Sequence, residues 1–219
     1  MLLADDVVDR NGNAVTRILE PGIAFQGKLG LQGEIDYNAY DKERAGPNLL
    51  GYERLHVNLY ANPPGSVSTI SFDGHMGRSI DFIEYRSGRG GDFTLSATAR
   101  PTLHLQFDAN VAGQWLYLDG RRLFRAQAER LKATYVFDRS TFIRLIGQHL
   151  RTDYDTSRYS TALPKRSGNF DLSALFGYQL NWQSVVYLGY GDTRALSEQA
   201  QFQRSGRQVF LKISYAFQR

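Results

Sequence analysis

The alternation of apolar and polar residues is longest and clearest in residues 103–117. Every second position there is apolar or glycine: Leu103, Leu105, Phe107, Ala109, Val111, Gly113, Trp115 and Tyr117. A period of two predicts a β-strand with one apolar face and one polar face. Because strands in soluble proteins average about five or six residues, alternation over this whole segment favours a strand that crosses a bilayer as part of a barrel.

The same pattern recurs along the chain and predicts about eleven strands. They are 16–26, 28–40, 52–61, 66–77, 91–100, 103–117, 123–138, 141–152, 169–182, 184–192 and 208–219. Short connections alternate with mostly longer, polar ones at 41–51, 78–90, 119–122, 153–168 and 193–207. Outer-membrane barrels have this asymmetry of short periplasmic turns and longer external loops. The predicted fold class is therefore all-β, an antiparallel transmembrane β-barrel.

The odd number of predicted strands affects the expected domain organisation. With eleven strands the first and last run in the same direction, whereas bacterial single-chain barrels have even numbers and antiparallel neighbours. Residues 1–13 carry the turn signal Asn11-Gly12-Asn13 and are predicted to be an N-terminal loop or a truncated strand. Residues 14–219 are predicted to form the barrel segment. We therefore expect the C-terminal part of a larger barrel, with Met1 an internal or truncated start.

Composition agrees with a membrane barrel. The chain contains thirteen Tyr, thirteen Phe and two Trp, and barrels place such residues at both membrane interfaces. A mean hydropathy of −0.40 is compatible with this class because only alternate residues face lipid. No run of about 18 apolar residues occurs, so no transmembrane helix is predicted. The first residues lack the basic and apolar regions of a signal peptide.

Charge and cysteine content exclude several other classes. The formal net charge is +4, but Lys and Arg are interspersed with Asp and Glu. A nucleic-acid partner is not predicted, because it would require a basic face. The chain has no cysteine, so it has neither a disulfide framework nor a thiolate metal site. No cofactor and no metal site are predicted.

Alternation also assigns side chains to the lumen and to the membrane interfaces. The lumen-lining candidates carry both signs of charge, so they would either pair into a network or line a water path. They are Arg54, His56, Asp73, His75, Arg100, His104, Asp108, Arg130, Lys132, Arg144, Asp171 and Lys212. The aromatic residues expected at the membrane interfaces are Tyr37, Trp115, Tyr117, Tyr135, Phe137, Tyr178, Trp182, Tyr215 and Phe217.

Signals for site chemistry are weak. An enzyme would need a histidine beside a carboxylate and a nucleophile, and no such spacing stands out, so no catalytic residue is assigned. Asp153 and Asp155 could offer oxygens to Ca²⁺, but they lack the spacing of a known calcium loop and are predicted to lie in a solvated external loop. The basic stretch 86–91 could contact lipopolysaccharide phosphates, since arginine matches phosphate geometry; an ordinary mobile loop is the simpler interpretation.

The chain from roughly Gly51 to its end resembles the C-terminal barrel region of a bacterial family of unknown function, most clearly in several short segments. They are Ala99-Arg100-Pro101-Thr102, FIRLIGQ at 142–148, Asn181-Trp182-Gln183, YLGYGD at 187–192 and LKISYAF at 211–217. Members of that family carry an N-terminal domain similar to family 9 carbohydrate-binding modules. The resemblance implies a carbohydrate partner only through such a domain, which is missing here. Tyr215-x-Phe217 resembles the terminal signal that the barrel-assembly machinery reads.

These observations predict a bacterial outer-membrane β-barrel protein that acts as a channel, transporter or anchoring barrel for an unknown solute. Its expected partners are outer-membrane lipid and lipopolysaccharide. One alternative is a hydrolase-like outer-membrane barrel enzyme, which requires a histidine–carboxylate–hydroxyl cluster at the outer rim. The other is a soluble ligand-binding β-barrel, in which Leu103, Phe107 and Phe176 would point into a packed interior.

Overall fold

The computed structural model describes residues 2–38, 40–181, 184–197 and 200–215. These residues form one antiparallel sheet of fourteen strands. The strands are β1 (Leu2–Val8), β2 (Ala14–Gln26), β3 (Gln32–Asn38), β4 (Lys42–Ala45), β5 (Asn48–Gly51), β6 (Arg54–Ala61), β7 (Val67–Asp81), β8 (Arg86–Ala99), β9 (Leu105–Leu118), β10 (Arg121–Val136), β11 (Thr141–Tyr154), β12 (Arg166–Asn181), β13 (Ser184–Leu196) and β14 (Phe202–Ser214). No helix in these ranges is long and apolar enough to cross a membrane.

Twelve of the strands form an up-and-down meander in which neighbours in the chain are neighbours in the sheet. The short strands β4 and β5 lie between β3 and β6 in the chain and form a hairpin in which β4 also pairs with β2. We call the end of the sheet that carries this hairpin and the connections 9–13, 82–85, 119–120 and 155–165 the loop end. The opposite end carries the connections 27–31, 62–66, 100–104 and 137–140 and is called the turn end.

All eleven predicted strands are present, but the predicted number is wrong because the described residues contain three more. One is β1, whose sequence Leu2-Leu3-Ala4-Asp5-Asp6-Val7-Val8 groups like residues together instead of alternating them. The other two are β4 and β5, each of four residues, which is too short for a period of two to be recognised.

Two of the loops that the sequence predicts as long are short. The predicted loop at 78–90 shrinks to residues 82–85, and the one at 193–207 shrinks to 197–201. In both places the flanking strands continue as a paired ladder towards the loop end. The polar residues of these two segments therefore belong to paired strands. These strands continue towards the loop end past the part of the sheet that carries the large apolar side chains.

With β1 included, the meander has an even number of long strands, and β1 and β14 run in opposite directions. An even number of long strands therefore gives no reason of parity to expect further strands. Within the described ranges, however, β1 pairs only with β2 in the sheet and β14 only with β13. Every described residue of both strands is exposed. The sheet thus has two open edges.

The register shows that the strands are tilted as in a barrel. A row of direct cross-strand partners runs from Phe25 on β2, through Leu95 and Val111, to Arg204 on β14. The row starts one residue before the turn end of β2 and finishes ten residues before the turn end of β14. A stagger of about nine residues over about ten steps between strands corresponds to a tilt of about 33°. Outer-membrane barrels tilt by about 35–45°.

One face of the sheet, which we call the apolar face, presents exposed large apolar side chains. It includes Ile23, Phe25, Ile35, Tyr37, Leu55, Ile70, Met76, Leu95, Val111, Leu131, Tyr135, Leu145, Leu172, Phe176, Tyr178, Leu188, Val209, Leu211 and Ile213. The opposite face is called the polar face. Just four hydrophobic residues of the described chain are buried. An apolar surface of this extent requires an apolar environment.

The alternative of a soluble barrel with a packed interior is not supported. Leu103 is fully exposed in the connection 100–104, and Phe176 is 39% exposed on the apolar face. Phe107 has intermediate exposure and lies in the same cross-strand row as Ala99 and Ala133. None of the three contributes to a closed apolar core.

The two faces predict opposite effects of one substitution at neighbouring positions. Leu95→Lys places a charge on the apolar face, where lysine near the bilayer midplane costs about 2–4 kcal/mol. Ser96→Lys places the same charge on the polar face, and we expect it to cost less than about 1 kcal/mol, the net value of one hydrogen bond. Urea unfolding of the vesicle-refolded protein measures both values. Equal destabilisation by the two variants would contradict this assignment of faces.

Candidate functional site: the polar face and the loop that covers it

Ten of the twelve predicted lumen residues lie on strands with their side chains on the polar face. The alternation and the register place Arg54, His56, Asp73, His75, Asp108, Arg130, Lys132, Arg144, Asp171 and Lys212 there. The other two predicted residues lie in the connection 100–104. Arg100 donates a hydrogen bond to Gln106, and His104 contacts the Val136 carbonyl oxygen at 2.6 Å. The structure does not bring His104 to the strands of the polar face.

The β3–β8 part of the polar face carries a row of four directly paired residues. They are Asp36, His56, His75 and Asp92, one each on β3, β6, β7 and β8. His56 Nδ1 lies 2.8 Å from Asp36 Oδ2, and His75 Nδ1 lies 2.9 Å from Asp92 Oδ1. The two imidazole rings stack at 4.3 Å between centroids and 11° between planes. We call this set the His–Asp row.

Further contacts fix the His–Asp row from the neighbouring positions. Asp73 Oδ2 lies 2.9 Å from His56 Nε2 and accepts a hydrogen bond from Asn58. Arg54 lies 3.6 Å from Asp92. Both ring nitrogens of His56 therefore face carboxylates and are not available to activate a hydroxyl group. This geometry does not provide the histidine–carboxylate–hydroxyl cluster that the enzyme alternative requires.

Gly22 explains how Asp36 is accommodated so tightly. The two residues are direct partners on β2 and β3. A Cβ atom at position 22 would lie 2.6 Å from the Asp36 Cβ, closer than real contacts allow. A glycine is therefore required opposite Asp36, whose side chain is 2% exposed.

The β9–β14 part of the polar face is more basic. Lys132 pairs with Asp108 at 2.8 Å. Within the described part of the chain, no ion pair joins Arg130, Arg144 or Lys212 to a carboxylate; Arg144 instead lies over the Phe142 ring at 5.4 Å. Side chains of this kind attract anions, because their charge is not neutralised locally.

The connection 155–165, which we call the covering loop, folds back onto the loop end of strands β7 to β10. Arg158 donates to the Leu118 carbonyl oxygen at 2.7 Å and to Asp119 at 2.9 Å. The Ser160 amide and hydroxyl donate to Glu84 at 2.7 and 2.8 Å. Arg86 donates to the Arg158 carbonyl oxygen at 2.8 Å. The loop thus bridges connections that are about 40 and 76 residues away in sequence.

Electrostatic shifts reflect the same packing. Hydrogen bonds from Ser160 lower the pKa of Glu84 below its usual value. Burial raises the pKa of Tyr159 to about 12, and nearby Asp81 adds to this effect. Arg86 lies 5.0 Å from the Tyr159 ring centroid. Leu116 and Leu123, which are fully buried, belong to the strand ends that this loop contacts. The covering loop is therefore held in a defined position.

The sequence predicts loops at Asp153 and at residues 86–91, but Asp153 lies on β11 and residues 86–91 lie on β8, where both have local ion-pair roles. Asp153 pairs with Arg151 at 2.8 Å and with Arg166 at 2.6 Å, so arginines occupy its oxygens. In the stretch 86–91, Arg86 pairs with buried Asp81 at 3.0 Å beneath the covering loop. Arg89 lies on the apolar-face side, opposite Arg78 and Tyr117. Only part of this stretch is therefore directed outwards.

The predicted interface aromatics fall near both ends of the apolar face. Tyr37, Trp115 and Tyr117 lie towards the loop end, whereas Tyr135, Phe137, Tyr178 and Tyr215 lie towards the turn end. Trp182 and Phe217 lie outside the described residues.

Asp36 and Asp92 were not predicted as site residues from the sequence. Their alternate spacing with apolar neighbours was the available signal, since Ile35 and Tyr37 flank Asp36.

Solved structures show which fold this arrangement belongs to. The outer-membrane channel DcaP of Acinetobacter baumannii matches with a TM-score of 0.62 and 12% identity, over 98% of this chain and 67% of that chain. The anion-selective porin from Comamonas acidovorans matches with a TM-score of 0.54 and 12% identity, over 95% of this chain and 61% of that chain. The chain thus spans about two thirds of their length. The fold is that of outer-membrane, porin-like β-barrels.

Sequence comparisons add no further assignment. No family model matches the chain, and no curated protein matches it. At 12% identity the structural likeness establishes the fold alone. The resemblance to the family with a carbohydrate-binding-like domain remains a prediction.

Glu84 provides a test of how the covering loop is held. Glu84→Ala removes the acceptor of the Ser160 bonds, so a fluorophore on Ala162→Cys should lose anisotropy at pH 7. Because the Glu84 pKa is lowered, its bonds are present above the usual value of 4.5. They are lost as pH falls through the lowered pKa, so anisotropy in the parent Ala162→Cys protein should also fall in acid. Asp138→Ala is the control, because it removes a carboxylate at the turn end that likewise accepts hydrogen bonds from a serine amide and hydroxyl, those of Ser140. An unchanged signal in Glu84→Ala would contradict the docking.

Proposed function

We propose that this chain forms part of the wall of an outer-membrane channel for small polar solutes. The observation that carries the proposal is the pairing of an exposed apolar face with a charged polar face on one tilted antiparallel meander. The channel folds of the two solved structures support it. The apolar face would meet lipid, and the polar face would line the water path.

The open edges define what the channel still needs. In a bilayer each unpaired backbone N–H or C=O costs several kcal/mol, so a spanning sheet must close. We propose that strands additional to those described pair with β1 and β14 and complete a larger ring, of which this chain is the C-terminal part. The match to only 67% and 61% of the two channels is in keeping with a larger ring.

The charges on the β9–β14 part of the polar face favour anions over cations. Arg130, Arg144 and Lys212 lack a local carboxylate partner, whereas the carboxylates Asp36, Asp73 and Asp92, which contact His56, His75 and Arg54, lie on the other part of the face. The covering loop lies at the loop end and would narrow that mouth. We therefore infer a weak preference for small anions.

Planar-bilayer conductance tests both parts of this proposal. The Arg130→Gln, Arg144→Gln, Lys212→Gln triple variant removes the free cations, so the anion-to-cation permeability ratio should fall about threefold or more. Arg17→Gln, which removes an exposed cation paired with Asp6 on the other face, should leave it unchanged. Protein that inserts but conducts no ions would contradict the channel, and an unaltered ratio in the triple variant would contradict the preference for anions.

A groove on the apolar face at the loop end suits lipopolysaccharide. Its lining includes Tyr37, Arg78, Arg89, Trp115 and Tyr117. Aromatic rings favour the membrane interface, and guanidinium groups match phosphate geometry. We propose that acyl chains pack on the rings while Arg89 and Arg78, which also pairs with Glu53 at 3.2 Å, bind lipid phosphates.

Binding of lipopolysaccharide to the detergent-solubilised protein tests the groove. Arg78→Gln combined with Arg89→Gln should weaken binding about tenfold, whereas Arg139→Gln at the turn end should not. Enzymatically dephosphorylated lipopolysaccharide should bind the parent protein and the double variant equally weakly. If phosphate removal has no effect on the parent protein, the arginines do not recognise phosphate.

Insertion and carbohydrate binding remain proposals based on the family resemblance. Tyr215, exposed just after β14, is part of the motif proposed to engage the barrel-assembly machinery. Phe217, the second aromatic residue of the motif, lies outside the described residues. A carbohydrate partner would require a separate N-terminal domain.

A further inference from the structure

The His–Asp row has the features of a metal site that the sequence did not predict. Metal-binding histidines commonly donate one ring N–H to a carboxylate, which fixes the tautomer and leaves the other nitrogen for the metal. Here Asp36 accepts from His56 Nδ1, and Asp92 accepts from His75 Nδ1. Both Nε2 atoms are then free of hydrogen in the neutral rings.

Asp73 supplies a third donor atom beside these nitrogens. One ligand atom from each of His56, Asp73 and His75 lies within 4.8 Å of the others. Asp73 Oδ2 is 2.9 Å from His56 Nε2. When Nδ1 carries the proton of a neutral His56, this contact brings two hydrogen-bond acceptors together, each with a lone pair and neither with a proton to donate. It is favourable only if a second proton or a cation lies between them.

The local charge balance favours a divalent cation. Three carboxylates, from Asp36, Asp73 and Asp92, face one guanidinium, from Arg54. With neutral imidazoles the group therefore has two negative charges in excess. The Asp36 side chain is only 2% exposed, and its Oδ1 is buried without a hydrogen-bond partner. Buried negative charge of this kind is stabilised by a cation bound nearby.

We propose that His56, His75 and Asp73 bind one divalent transition-metal ion of the zinc class. Two imidazole nitrogens and one carboxylate oxygen form a donor set that Zn²⁺ accepts in tetrahedral geometry, with a fourth position open to water. Tetrahedral ligand atoms about 2.1 Å from zinc lie about 3.4 Å apart. The three donor atoms lie within 4.8 Å of one another, and binding would require the side chains to turn so that the lone pairs converge on the ion.

The consequence of binding is local cross-linking and a change of charge. His56 lies on β6, whereas Asp73 and His75 lie on β7, so the ion would tie two strands together. It would also neutralise the excess carboxylate charge on this part of the polar face. The inference rests on the geometry of the row and does not require the proposed channel function.

Zinc titration of the refolded, EDTA-treated full chain in detergent tests the site. The wild-type protein should bind one Zn²⁺, measured by isothermal titration, and Co²⁺ in its place should give the visible bands of tetrahedral coordination. His75→Asn should weaken binding at least about tenfold. His149→Asn is the matched control. His149 also pairs with a carboxylate on a neighbouring strand, Glu129 at 2.7 Å, but no group of three metal-ligating residues includes it among those the structure describes.

X-ray absorption of the zinc-loaded wild-type protein decides the result even if a variant fails to fold. Two imidazole nitrogens in the zinc shell support the proposal; none or one overturns it. Absence of saturable binding up to millimolar Zn²⁺ also overturns it. In that case a second proton on His56 explains its contact with Asp73. Equal affinity in the His75→Asn and His149→Asn variants overturns it too, because the ion would then bind elsewhere.

Discussion

The structure depends on one constraint, the continuous pairing of backbone amides and carbonyls across a tilted antiparallel ladder. In lipid these groups have no other partners. The stagger from Phe25 to Arg204 sets the strand tilt at about 33°. It also explains why one row of partners changes from apolar to charged residues. Because the row is inclined to the plane of the membrane, it begins near the turn end and rises towards the loop end.

The same ladder separates the two surfaces on which function depends. Since side chains alternate, every strand presents one residue to lipid for each residue it presents to the polar face. Long-range register then arranges the polar face into an acidic part around the His–Asp row and a basic part around Arg130, Arg144 and Lys212. The covering loop adds a third element, because it bonds to strand connections far away in sequence. Solute passage and metal binding would therefore use different parts of one face.

The sequence predicted the strands well because their alternation is local information. It predicted a strand at 103–117, where β9 runs from Leu105 to Leu118, and it placed His56 and His75 on the polar face. It could not predict that Asp36 and Asp92 flank these histidines, because strand pairing joins positions about 17–20 residues apart and depends on turn geometry. β1 was missed because its apolar residues are grouped. The docking of the covering loop was missed because it depends on hydrogen bonds between distant connections.

The most direct test of the membrane-wall assignment is cysteine accessibility along β8 in lipid vesicles. The chain has no cysteine, so labelling of a single cysteine introduced at each of positions 93 to 98 can be measured without labelling elsewhere in the protein. We expect a strict period of two: cysteines at positions 94, 96 and 98 react with a water-soluble thiol reagent, while labels at 93, 95 and 97 respond only to a lipid-phase quencher. Equal access at all six positions, or the opposite alternation, would contradict a sheet whose apolar face meets lipid.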